Sequence, residues 1–180
     1  MKIKKCKAGR GGAIYLYNCT MKISNSELND NVAEKLGGAL FCSTENCEVE
    51  LYNNRILNNT SQAESGGGRY AYGNLLIDGE NSLISNNMAG TYGGAIMLKN
   101  KGLIKNGVIC NNKAKKSGGG IFIEKILILE NAKIYLNSCE ISGGGIYCEK
   151  EILYDKNRID SMVYDNIANI NGNNLYPETY

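Results

Sequence analysis

The chain has 180 residues, 43% of them hydrophobic, with 20 Lys and Arg against 18 Asp and Glu, a formal net charge of +2, and no histidine. That length serves one domain with a sizeable core. The near-balanced charge sets up no global field for nucleic acid or a membrane surface, and no run of ~18 apolar residues offers a bilayer span. Without histidine, Ser/His/Asp and Cys/His catalysis and His-containing metal patterns are excluded.

Residues 1–10 carry Lys2, Lys4, Lys5, Lys7 and Arg10. A secretory leader needs an apolar stretch after such charges, and Ala8-Gly9-Arg10-Gly11-Gly12 is not one. The segment is therefore expected to be a solvated basic lead-in.

From residue 11 a phrase recurs: an asparagine, a short spacer, a glycine pair, then an apolar run. The clearest copy runs from Asn87 through Gly93-Gly94 to Leu98. The asparagines are Asn31, Asn59, Asn87, Asn112, Asn137 and Asn166. The glycine pairs are Gly11-Gly12, Gly37-Gly38, Gly66-Gly67, Gly93-Gly94, Gly118-Gly119 and Gly143-Gly144, and Gly172 closes the series. The first glycines follow one another at 26, 29, 27, 25, 25 and 29 residues. A fixed phase at this period is the signature of a repeat architecture.

Within each period the apolar stretches are short and bounded by Gly and Asn, as in Ala95–Leu98, Gly102–Lys105 and Gly107–Cys110. Such stretches read as strands; no window supplies the 3.6-residue periodicity of a helix. The expectation is an all-β, right-handed parallel β-helix of about six coils, three short strands per coil, without clear end caps. Coils stacked at ~4.8 Å would make a rod roughly 29 Å long. The glycine pairs are expected to supply φ > 0 at a corner. The six asparagines are expected to form a hydrogen-bonded amide ladder, since buried amides need partners. The boundaries that follow are 1–10 for the lead-in, 11–176 for the β-helix and 177–180 for a tail beginning at Pro177.

Paired motifs carry a resemblance. Gly11-Gly12-Ala13-Ile14, Gly37-Gly38-Ala39-Leu40 and Gly93-Gly94-Ala95-Ile96 have the GGA-plus-aliphatic form. Gly118-Gly119-Gly120-Ile121 and Gly143-Gly144-Gly145-Ile146 approximate it, and Gly66-Gly67-Gly68-Arg69 is looser. Each asparagine ends a tetrapeptide such as Ile84-Ser85-Asn86-Asn87 or Ile109-Cys110-Asn111-Asn112, in which an aliphatic residue replaces the Phe of FxxN. The chain thus resembles the polymorphic outer membrane protein (Pmp) repeat over about residues 9–176. The resemblance implies a surface-exposed β-helical passenger, often an adhesin, placed outside the cell by autotransport. On this reading the family's C-terminal membrane barrel and signal peptide are not found in the sequence.

Seven cysteines, at 6, 19, 42, 47, 110, 139 and 148, form no C-x-x-C pattern. Reduced structural thiols are expected, with Cys110 filling core. The best disulfide candidate is Cys42–Cys47; Cys42 and Cys148 share a phase but lie four coils apart. Asn18-Cys19-Thr20, Asn58-Asn59-Thr60 and Asn59-Thr60-Ser61 fit the glycosylation sequon.

The function expected is a non-enzymatic, adhesin-like scaffold that binds glycan or a cell-surface protein on a flat sheet face. Tyr15, Tyr17, Tyr70, Tyr72, Tyr92 and Tyr147 near the glycine pairs are the candidate contacts. Neither cofactor nor metal nor nucleic acid is expected as a ligand, and end-to-end contact with further coils is a further expectation. A carbohydrate-active β-helix enzyme is the alternative, with Glu149 to Asp165 as the candidate carboxylate cleft. A structural spacer within a longer array is the third.

Overall fold

The computed structural model describes residues 1–155 and 162–176. One coil shows how the chain travels. Strand Ile96–Leu98 leads to Lys101–Lys105, then Val108–Cys110, then Lys113–Ala114, before Gly118 returns the chain to Ile121–Ile123 directly above the start. Every named strand pairing is parallel, and the strands stack into four sheets, three of seven strands and one of six. We name these by their member in this coil: sheet C holds Ile96–Leu98, sheet D Lys101–Lys105, sheet A Val108–Cys110 and sheet B Lys113–Ala114.

The all-β solenoid of about six turns agrees with the repeat period, but the expected three strands per coil become four. The additional strand follows the ladder asparagine: after Asn31 it is Val32–Leu36, and in every later coil it is a two-residue segment, Thr60–Ser61, Met88–Ala89, Lys113–Ala114, Ser138–Cys139 and Ile167–Ala168. The two-residue segments are too short to show alternation, and a single small residue marks the inward face of each, so hydrophobic patterning carries no trace of them. The basic opening segment also belongs to the sheets. Lys2–Lys4 pairs with Glu27–Asn29, and Lys7–Arg10 pairs with Val32–Leu36. The lysines point to solvent while Ile3 packs on the core, so residues 2–10 form an edge of the solenoid instead of a solvated lead-in. At the other end Lys156, Arg158, Asp160 and Pro177 lie outside the described residues.

Burial follows the two-residue period most clearly in the five-residue strands of sheet D, such as Glu48–Tyr52, Asn74–Asp78 and Lys101–Lys105. In sheets A and D the inward positions stack Leu28, Ile56, Ile84, Ile109 and Ile134, and Ile23, Leu51, Ile77, Ile104 and Leu129, into one continuous apolar core. Because every inward residue sits above its counterpart, branched aliphatic side chains repeat coil after coil. A single coil could not bury them.

Candidate functional site

The corner between sheets A and B is built around the six repeated asparagines, all at most 4% exposed. At Asn112, Oδ1 accepts from the backbone N–H of Asn87 at 2.9 Å and from its Nδ2 at 3.0 Å. Its own Nδ2 donates to the carbonyls of Ile84 and Cys110, at 3.0 and 2.9 Å, and to Asn137 Oδ1 at 2.9 Å. The same amide-to-amide bond links Asn31 to Asn59, Asn59 to Asn87, and Asn137 to Asn166. Asn174 receives the last of them, at 3.2 Å. At the opposite end Cys6 N–H donates to Asn31 Oδ1 at 3.1 Å.

Immediately before each ladder asparagine stands a residue in the left-handed region: Asp30, Asn58, Asn86, Asn111, Leu136 and Asp165, with φ between 52° and 57°. Asn and Asp tolerate this conformation, so five of the six explain themselves. The signal lies in the Asn-Asn and Asp-Asn doublets, whose first residue takes the left-handed turn and whose second joins the ladder. At the opposite corner the two glycines of each pair do different things. The first, as at Gly93 and Gly118, has φ of 64° and 66°. The second has ordinary φ but no room: a Cβ on Gly119 would meet the backbone carbonyls of Gly144 and Ser138 in the next coil.

The outer face of sheet C carries a second column. The middle residues of its strands are in register: Tyr15, Phe41, Tyr70, Met97, Phe122, Tyr147 and Tyr176. Tyr15 and Phe41 lie 5.2 Å apart by ring centroid, Phe41 and Tyr70 5.6 Å, Phe122 and Tyr147 4.6 Å, and Tyr147 and Tyr176 5.1 Å. Met97 divides the column in two. Leu36, Tyr72 and Tyr92 fold over its middle, so that Phe41 and Tyr70 are buried although they point away from the core. The Arg10 guanidinium sits 5.8 Å from the Phe41 ring and the Lys116 ammonium 5.5 Å from that of Tyr92. Of the six expected tyrosine contacts, Tyr15 at 50% and Tyr17 at 71% are open to solvent, whereas Tyr70 is 5% exposed. Burial pushes the Tyr70 hydroxyl well above its usual range.

Residues 81–99 and 100–124 each match the family model of the Chlamydia polymorphic membrane protein repeat. Two consecutive coils thus match the Pmp-type repeat. No match was found among curated proteins or among solved structures. The two matched stretches hold Asn87, Gly93, Gly94, Asn112, Gly118 and Gly119, the residues that make both corners of consecutive coils. The repeat match and the β-solenoid together fit a surface-protein scaffold.

In the acidic zone Glu149, Glu151 and Asp155 are exposed. Asp155 borders an open groove of about 440 Å³ with Glu130, Tyr154 and Met162, and Glu130 is ion-paired with Lys105 at 3.1 Å. Among the described residues no group of three or more Cys, Asp and Glu is placed to hold a metal ion. No helix among them is long and apolar enough to cross a membrane. The Cys42–Cys47 disulfide expected as the best candidate is not formed. All seven cysteines are free, and Cys110 is buried in sheet A.

Proposed function

We propose that the chain is a non-enzymatic, adhesin-like scaffold at the cell surface that holds an extended glycan or a protein against the outer face of sheet C. The observation that carries this reading is the in-register aromatic column, whose Tyr15 end and neighbouring Tyr17 are exposed. Aromatic faces presented on a rigid flat sheet suit stacking on sugar rings or anchoring a protein contact. The sheet supplies rigidity without an induced fit: Ile14–Leu16 is an edge strand held in register on Leu40–Cys42, and the strands behind it are fixed by the coils on either side. The family's membrane-protein description supports the surface placement.

The test is a glycan array and a panel of extracellular proteins, run with the native chain and with Tyr15→Ala/Tyr17→Ala, alongside a polysaccharide-hydrolysis assay. Binding that weakens about tenfold or more in the double variant, with an unchanged circular dichroism spectrum, supports the reading. Binding indifferent to both tyrosines overturns the assignment to sheet C, and measurable glycan cleavage overturns the non-enzymatic one.

A further inference from the structure

The first residue of each sheet C strand points into the core. In register these are Ile14, Leu40, Arg69, Ile96, Ile121, Ile146 and Leu175. One position in an otherwise aliphatic column is an arginine, and it has no exposed surface. Arg69 Nη2 donates to Cys42 Sγ at 3.9 Å and to the Asn74 carbonyl at 3.5 Å, while Nε and Nη1 reach no acceptor. A guanidinium this deep is costly unless a counter-charge touches it. The strands packed around it offer none from carboxylates. Leu40–Cys42 and Ile96–Leu98 contain no Asp or Glu, and Glu48, Glu50 and Asp78 lie at outward positions of Glu48–Tyr52 and Asn74–Asp78. The acidic groups that act on Arg69 are the thiols of Cys42 and Cys47. Both are wholly buried, and Cys47 Sγ lies 3.9 Å from the Leu16 carbonyl. Cys47 Sγ also lies 3.4 Å from the Thr44 hydroxyl.

We propose that Cys42, Cys47 and Arg69 form a buried thiolate site, in which the two thiols together carry one negative charge that serves as the guanidinium's counter-ion and holds the pair reduced. The division of that charge follows the surroundings. Burial pushes the Cys42 thiol up to about 11 despite Arg69. Burial also resists ionisation of Cys47, but hydrogen bonds from the Thr44 side chain, the backbone at Cys19 and Thr44, and Cys42 outweigh it and bring Cys47 down to about 7. Oxidation by a low-molecular-weight disulfide such as oxidised glutathione takes two exchanges. The thiolate attacks one glutathione sulfur, forming a mixed disulfide and releasing one glutathione thiolate. The second cysteine then gives up its proton, displaces the remaining glutathione and closes Cys42–Cys47. The product has no negative charge, so Arg69 is left unpaired in the core, and the reduced dithiol is favoured.

The experiment titrates thiolate ultraviolet absorbance in the full chain carrying Cys6→Ser and Cys19→Ser, alone and with Arg69→Leu, Arg69→Lys or Cys47→Ser. The parent is expected to show one thiolate with its midpoint at about 7. Cys47→Ser removes that step, Arg69→Leu moves it upward, and Arg69→Lys keeps it low. In glutathione redox buffers, mass spectrometry of the tryptic peptide Leu36–Arg55 reports closure of Cys42–Cys47. Arg69→Leu is expected to close at a ratio of oxidised to reduced glutathione at least tenfold lower than the parent. Leucine restores the aliphatic column, so this variant folds; a circular dichroism melt checks it. Titration and closure curves unchanged by Arg69→Leu overturn the proposal, as does Arg69→Lys behaving like Arg69→Leu.

Discussion

Asn112 shows how much depends on one side chain. Its carboxamide accepts two hydrogen bonds from Asn87 and donates to Ile84, Cys110 and Asn137. Asn112→Asp keeps the shape, but an ionised carboxylate cannot donate. Three buried acceptors would each lose one hydrogen bond, although the Cys110 carbonyl keeps the Asn86 N–H and Asn137 Oδ1 keeps the Asn112 N–H. At about 1 kcal/mol for each lost hydrogen bond, with the cost of burying a carboxylate added, equilibrium urea unfolding should show a loss of at least about 3 kcal/mol. A loss under ~1 kcal/mol would mean that the column is incidental. One position earlier in the next coil the structure tolerates a poor residue. Leu136 holds φ 54° where its equivalents are Asn or Asp, and it is 52% exposed. Leu136→Asn sacrifices little burial and relieves the left-handed penalty. A gain of about 1 kcal/mol is expected in the same assay, and destabilisation would show that leucine makes contacts worth more than its strain.

At the scale of the element, the corner between sheets B and C is limited by space. The second glycine of each pair runs so close to the next coil that a methyl group would enter backbone carbonyls, which cannot rotate aside. Gly119→Ala must therefore push two coils apart. We expect either failure to fold or a loss above ~3 kcal/mol. Gly9, on the edge strand Lys7–Arg10, has nothing within 4 Å of an added Cβ, and Gly9→Ala should stay within ~0.5 kcal/mol of the parent. Thermal melts of the two variants side by side test the contrast. Equal effects would show that the close approach at Gly119 is not what requires a glycine there. The strands themselves contribute ordinary terms: branched aliphatic packing inside, and outside a few ion pairs such as Lys22 with Glu50 at 3.5 Å, worth little in water.

For the whole molecule, stability is a sum over neighbouring coils, so position along the stack matters. Coils near Ile96–Leu98 and Ile121–Ile123 have partners above and below, whereas Lys2–Lys4, Thr20–Ser24 and Leu175–Tyr176 each form one edge of their sheet. Native-state hydrogen exchange should follow this gradient. Amides of Ile96–Leu98 and Ile121–Ile123 should be protected at least about tenfold more than those of Thr20–Ser24, because the edges open at lower free energy. Uniform protection along the chain would replace this picture with a single all-or-none unit. The same arrangement leaves the outer faces constant in geometry and free to vary in side chain, which suits a scaffold displaying contacts.

The amino-acid sequence by itself determined the period, the parallel stacking and the place of both corners, because a repeat that cannot bury its own apolar residues has to stack in phase. Asn87 and Gly93 could be read that way from spacing and from the conformations their side chains permit. Only the tertiary structure decided which residues meet across coils. It showed the two-residue strands of sheet B, too short for any pattern to register. It also turned Phe41 and Tyr70 outward and yet covered them, and it brought Arg69 against Cys42 and Cys47. The physical reason is that register fixes what lies above and below a residue, whereas the side chains that cover its flank come from a different turn of the chain.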